Sequence, residues 1–221
     1  MDRDFWLERW DNQQIGFHQP KGQPLLHRFW PTLELAEDAP VLVPLCGKTP
    51  DMAWLASRGH SVTGIEFSER AAADFFDEQR IPRETTDEGP FRHISGQGVE
   101  LYVGDFFAYP VERIARFGAV YDRAALIALP PELRADYAKH LLDGLAPGAR
   151  ILLITLDYDQ QEMSGPPFAV GDSEVHRLYG DRADIACVSE RSGLSRNDHL
   201  RARGLTQACE RVYCITRNAD R

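Results

Sequence analysis

Val41-Leu-Val-Pro-Leu-Cys-Gly-Lys-Thr-Pro50 and, a little further on, Gly64-Ile-Glu66-Phe-Ser68 are the stretches that decide how this chain folds. Val41 to Leu45 is an apolar run that reads as a buried strand, and it enters a small-residue turn at Cys46-Gly47. A helix is predicted to follow, with Thr49 as its N-cap and Pro50 at its first position. It stops at Arg58-Gly59, where glycine suits the left-handed position after a helix. A second strand, Ser61 to Ile65, ends on Glu66. This is a βαβ unit with a glycine turn after its first strand and a carboxylate at the tip of its second. Nineteen residues separate Gly47 from Glu66, close to the roughly 20 that nucleotide-binding units place between turn and acid. In a parallel sheet both tips lie side by side at the carboxyl edge, where such folds bind a ribose-containing ligand.

The turn itself narrows the choice of ligand. A dinucleotide site needs three glycines so that backbone amides can close on a pyrophosphate, and a P-loop needs a second glycine before Lys-Ser/Thr. Pro44-Leu-Cys-Gly-Lys-Thr49 has neither. A cofactor that wants a ribose-binding carboxylate but carries no phosphate is S-adenosylmethionine. A nicotinamide-dependent oxidoreductase would share the unit and the acid but not the single glycine. A non-catalytic adenosylmethionine-binding regulatory module would share all three.

Further along, Ser68 caps a helix predicted over 69–79, amphipathic through Ala72, Phe75 and Phe76. Residues 83–98 read as polar and irregular. Val99 to Val103 alternates as a strand leading into Asp105-Phe106, and Phe117 to Tyr121 is another strand ending at Asp122-Arg123. A helix over 130–145 follows, then a buried strand at 151–156. A short helix near 173–179, a strand near 184–190, a helix near 197–203 and a strand at 208–216 complete the chain. Upstream, Asp2 to Trp10 and Pro24 to Glu34 read as helices. The alternation predicts an α/β, doubly wound, mostly parallel seven-stranded sheet with an antiparallel C-terminal edge. Gly47, Glu66, Asp105, Arg123 and Asp157 then converge on one edge.

The 221 residues suit one domain over 1–221, and the net charge of −9 argues against a nucleic-acid partner. No apolar run approaches a membrane span, the N-terminus lacks a signal peptide, and four cysteines form no CxxC pair. A cytoplasmic monomer is the expectation. Seven histidines without HxH or HxxxH spacing give no metal site. Cys46 reads as a small turn residue, since methyl transfer needs no nucleophile.

Several blocks, in order, carry a resemblance: Phe5-Trp6-Leu-Glu-Arg-Trp10, Gly16-Phe17-His18-Gln19, Pro44 to Lys48, Gly64-Ile-Glu66, Tyr121-Asp-Arg-Ala-Ala-Leu126, Asp157-Tyr-Asp159 and Gly165-Pro-Pro-Phe168. Together they resemble the bacterial branch of the thiopurine S-methyltransferases over nearly the whole length. The resemblance implies a class I methyltransferase fold, S-adenosylmethionine as methyl donor, and a thiopurine or related heterocyclic thiol as acceptor. Selenium and tellurium compounds are associated with bacterial members, in a detoxifying role.

Carried over residue by residue, the cofactor contacts fall on Trp6, Trp10, Phe17, Leu45, Gly47, Glu66 and Arg123. Asp105 and Phe106 match the adenine-side positions, where the family more commonly has Ser-Ile. The acceptor side falls on Phe17, Arg123, Pro167 and Phe168, with Arg201 or His199 as a further contact. Residues 1–36 become a helical cover over cofactor and substrate. From the residues alone, Trp6 and Trp10, four apart on one helix face, suit core packing as well as a cover. Arg123 suits either the cofactor or an anionic acceptor, and it is the candidate catalytic residue.

Overall fold

A computed structural model describes residues 3–193 and 198–219, with the side chains of residues 198 and 199 outside the description. Nine strands form one sheet. In chain order they are β1 (Val41–Pro44), β2 (Val62–Glu66), β3 (Glu84–Glu88), β4 (Phe91–Gly96), β5 (Val99–Val103), β6 (Ala119–Asp122), β7 (Arg150–Asp157), β8 (Ala183–Ser192) and β9 (Cys209–Arg217). The helices are α1 (Arg3–Asp11), α2 (Pro24–Phe29), α3 (Asp51–Ser57), α4 (Glu69–Gln79), α5 (Val111–Ile114), α6 (Pro131–Gly144), α7 (Asp172–Tyr179) and α8 (Asp198–Ala202). Across the sheet the order is β3-β4-β5-β2-β1-β6-β7-β9-β8. The five strands from β5 to β7 run parallel, while β9 and β8 close one edge antiparallel.

The doubly wound parallel sheet with its antiparallel C-terminal edge is therefore as expected, but it has nine strands rather than seven. The two extra ones are β3 and β4, an antiparallel hairpin joined to β5, in the stretch read as irregular. Strand β3 is Glu-Thr-Thr-Asp-Glu and almost wholly exposed. In β4, Phe91 and Ile94 are buried three residues apart, not two. An edge pair stabilised by main-chain bonds leaves no apolar alternation to read, and its charges suit an edge that must not pair further. Two helix starts and stops also shift. Helix α2 ends at Phe29 and passes into a 3-10 turn, Trp30–Leu33, because Pro31 has no N–H to continue it. Pro50 is itself the cap residue of α3, and Thr49 Oγ1 accepts from the Asp51 amide at 3.3 Å.

The strands alternate their side chains between two apolar layers. Ile151 and Leu153 of β7 join the layer under α6 and α7. Leu152 and Ile154 join the one under α2, α3 and α4. Gly64, in the middle of β2, is required by this packing: a Cβ there would stand 2.3 Å from Leu101 Cδ2 and 2.7 Å from Cys46 Sγ. The N-terminal segment is tied down by buried polar bonds. Gln23 N donates to Asp51 Oδ1 at 2.8 Å, and Tyr121 holds the other Asp51 oxygen. Trp30 Nε1 donates to His60 Nε2 at 2.9 Å, so His60 Nδ1 carries the proton given to Ala39 O. Among the described residues no helix is long and apolar enough to cross a membrane.

Candidate active site

The chain turns back on itself between β1 and β6, and a cavity of about 300 Å³ opens outside the carboxyl ends of the parallel strands there. That is the crevice where open α/β sheets bind ligands. Its floor is the turn after β1. Leu45 at φ +47° and Gly47 at φ +55° both take the left-handed region, which is costly for leucine and free for glycine. The turn is held in this shape by Glu66, the last residue of the neighbouring strand. Gly47 N donates to Glu66 Oε2 at 2.8 Å, and Ser68 N donates to Oε1 at 2.8 Å. Glu66 is buried, and burial pushes its carboxyl up to about 7 against the pull of those backbone donors. The next tip is joined as well, through Gly104 N to Glu66 O at 2.9 Å.

Helix α1 and the loop after it roof the cavity. Phe17 meets Trp6 and Trp10 edge-on, with ring centroids 5.4 and 5.5 Å apart, an arrangement aromatic quadrupoles favour. Trp10 is buried and lies directly over the turn: a Cβ on Gly47 would sit 3.0 Å from Trp10 Cζ2. Arg70 Nη1 holds the end of α1 through Asp11 O at 3.2 Å.

Arg123 enters from the tip of β6. Its neighbour Asp122 is buried and fully engaged. Oδ1 accepts the Ala125 and Leu126 amides, and Oδ2 accepts Tyr137 Oη at 2.7 Å. Burial raises its carboxyl to about 6. Asp122 therefore fixes the bend that carries Arg123 and does not pair with it. The guanidinium instead reaches the Phe17 carbonyl at 3.4 and 3.5 Å, joining the roof to the sheet edge. Opposite, the wall consists of Ile154, Thr155 and Leu156 on β7 and of Pro166 and Pro167 in the following loop. Arg203 and Leu200 complete it. Arg203 Nη1 donates to Pro166 O at 2.7 Å and so anchors that loop.

Trp6, Trp10, Phe17, Leu45, Gly47, Glu66, Arg123 and Pro167 thus all line one cavity. Five expected residues stand elsewhere. Asp105 is exposed at the tip of β5 with its Oδ1 on the Phe107 amide, and Phe106 is buried against Tyr137. Phe168 packs over the buried Arg134 guanidinium at 5.8 Å, behind the wall. Arg201 is exposed and is not part of the lining; the His199 side chain lies outside the described residues. Asp157 is taken by Arg211 at 2.7 Å. Residues not singled out from sequence also face the cavity: His18, Gln19, Thr155, Arg203 and Glu210. Gly16-Phe17-His18-Gln19 pointed to the first two as a block. Thr155 and Arg203 gave no signal, since one sits in an apolar strand and the other in an arginine-rich helix end. Among the described residues no group of three or more His, Cys, Asp or Glu is placed to hold a metal.

The residues present fit an adenosyl cofactor without phosphate. A buried carboxylate faces a turn whose glycine leaves room only because it has no side chain, and aromatic faces stand above it. Solved structures share this architecture. A methyltransferase from Anabaena variabilis described as adenosylmethionine-dependent superposes with a TM-score of 0.67, covering 97% of this chain and 94% of its own at 13% identity. The 1,6-didemethyltoxoflavin-N1-methyltransferase of Burkholderia thailandensis, solved with its substrate and S-adenosylhomocysteine, superposes at 0.65 over 98% and 87% at 17% identity. That likeness shows the fold, the one shared by class I methyltransferases.

Sequence relationships are more particular. The model of the thiopurine S-methyltransferase family matches residues 1–218. The thiopurine S-methyltransferase of Azotobacter vinelandii is 48% identical over 217 residues, 98% of this chain and all of its own. That of Pseudomonas fluorescens Pf0-1 is 46% identical over 215 residues, 97% and 99%. The chain belongs to the thiopurine S-methyltransferase family, and it is an enzyme whose cofactor is S-adenosylmethionine.

Proposed function

We propose that the chain transfers the methyl group of S-adenosylmethionine to the sulfur of a thiopurine or related heteroaromatic thiol. Selenium and tellurium compounds are further acceptors in a detoxifying role. It works as a cytoplasmic monomer on small molecules. The observation that carries this reading is the single cavity that joins Glu66 and Gly47 at one end to Arg123 at the other beneath the aromatic roof. The names of its relatives support sulfur as the target, and the acidic surface disfavours nucleic acid as acceptor.

Bound in this cavity, the cofactor supplies a methyl group on a cationic sulfur whose departure leaves a neutral thioether. Glu66 would hold the two ribose hydroxyls, and the backbone of Leu45 and Gly47 would meet the methionine end. Asp105, at the neighbouring β5 tip outside the cavity lining, would offer its second carboxylate oxygen to the adenine amino group, with Phe106 packed against Tyr137 behind it. Trp6, Trp10 and Phe17 cover the cofactor, exclude water and attract the sulfonium by roughly 0.5–2 kcal/mol. Arg123, steadied by the Phe17 carbonyl and the Asp122 bend, favours the acceptor as an anion. Pro167 lines the acceptor side, Phe168 stiffens its turn from behind, and Arg203 is a better candidate than Arg201 for the second cation there. Alignment of acceptor, methyl and sulfur contributes the rest.

The test is labelled S-adenosylmethionine with a panel of thiopurines, aliphatic thiols, selenite and tellurite, scored for methylated product. S-Methylation of heteroaromatic thiols is expected. Cofactor binding without product from any acceptor would leave only a regulatory module and overturn the reading.

A further inference from the structure

His18 lies in the same roof loop as Phe17, one residue beyond the carbonyl that holds Arg123. Its amide closes a turn onto Ile15 O at 2.8 Å, and its half-buried imidazole lines the cavity. Among the described residues the ring has no hydrogen-bond partner. The charges that face it are Lys48 after β1, Asp51 on α3, Glu78 on α4 and Arg123 after β6. Lys48 is itself neutralised by Glu78 at 2.6 Å and Asp74 at 3.4 Å. Asp51 is occupied by Gln23 and Tyr121. An imidazole in such a place holds nothing up, and it lines the same cavity as Arg123.

We infer that His18 is a catalytic residue that accepts the proton of the acceptor thiol or selenol. The S–H bond breaks, the proton goes to a ring nitrogen of His18, and the electron pair stays on the acceptor sulfur. That sulfur forms the new bond to the methyl carbon as the methyl–sulfonium bond breaks, its pair returning to the donor sulfur. The imidazolium then releases its proton to solvent. Arg123, a permanent cation, stabilises the anion but cannot take the proton. The division of labour is the common one between a proton acceptor near its working pH and a fixed positive charge. Burial, together with Lys48 and Arg123, lowers the His18 pKa against the opposite pull of Glu78 and Asp51. That direction favours the neutral ring that the role requires. Acceptors already ionised in solution need no such group; weakly acidic thiols do.

The inference rests on thiol methylation, and the wild-type product assay above tests that separately. The decisive comparison uses H18Q and H18N across thiols graded from strongly ionised heteroaromatic ones to alkyl thiols. Turnover with the least acidic thiols should fall about 100-fold, and that with the ionised ones no more than about threefold. Without turnover, a weakly acidic aromatic thiol, protonated in solution at the assay pH, bound together with S-adenosylhomocysteine should show its thiolate ultraviolet band in the wild type and its protonated band in H18Q. Calorimetry with S-adenosylhomocysteine checks that the variants fold and bind. An equal loss for every thiol, an unchanged thiolate band, or a loss confined to cofactor affinity would each overturn the assignment.

Discussion

The two ends of the cavity are built in opposite ways. At the end proposed for the cofactor the floor comes from two adjacent strands, β1 and β2, and one bond across them, Gly47 N to Glu66 Oε2, sets the shape. At the end proposed for the acceptor, Arg123, Pro166, Pro167, Thr155 and Arg203 come from four separated stretches of the chain, and loops rather than strands hold most of them. The first end is rigid because sheet hydrogen bonds fix it. The second is adjustable because its members are held by single contacts, such as Arg203 to Pro166 O or Arg123 to Phe17 O.

The comparison breaks most visibly at Glu66. Glu66→Ala removes an acceptor of charge-assisted bonds, worth about 1.5–3 kcal/mol each, and releases the Gly47 turn. S-Adenosylhomocysteine should bind at least about 100-fold more weakly by calorimetry. A loss of less than roughly threefold would mean that the floor is not the cofactor end.

Arg123→Ala should act on the other side. Turnover is expected to fall about 100-fold while S-adenosylhomocysteine affinity stays within a few-fold. Equal losses in both would merge the two ends into one.

Protonation sharpens the same contrast. With its carboxyl raised to about 7, Glu66 is increasingly protonated below neutral pH. Cofactor-product affinity should fall about tenfold per pH unit below 7 and level off above it. In the free protein the sign reverses. A raised carboxyl favours the folded state fully below its ordinary 4.5, and that contribution is lost as pH rises through about 7. Asp122 does the same through about 6. Melting curves of Glu66→Gln should lack the Glu66 part of this dependence; identical pH profiles would show that the carboxyl is not perturbed.

Gly47→Ala puts a Cβ 3.0 Å from Trp10 at a left-handed backbone position, a strain of about 1–2 kcal/mol. Roughly tenfold weaker cofactor binding and a lower melting temperature follow. The smallest effect belongs to the loop anchor. Arg203→Ala should raise the acceptor KM several-fold through the freed Pro166 turn, and the exposed Arg201→Ala should not. The reverse result would return the acceptor cation to Arg201.

Legibility followed this division. Gly47 and Glu66 were readable because a βαβ unit places its turn and its acid at a fixed separation, and backbone geometry imposes that spacing on any chain. The hairpin β3–β4 was not, since its main-chain bonds carry no side-chain pattern. Arg203 was not, because no local periodicity distinguishes it from Arg201, two residues before it. Phe168 was legible as a member of a block, and Phe106 only as a match to a family position, but neither as a packing residue: Arg134 and Tyr137, which they meet, are far from them along the chain.

By itself, then, the order of residues determined the strand that becomes the floor, the carboxylate beside it, the phosphate-free nature of the ligand and the parallel core, all consequences of short-range periodicity and turn chemistry. Only the tertiary structure decided that Phe17's carbonyl steadies Arg123, that Trp10 closes over Gly47, and that the His18 ring lines the cavity with no hydrogen-bond partner among the described residues. Those relations join stretches dozens of residues apart, and no local rule encodes a distance that packing alone brings about.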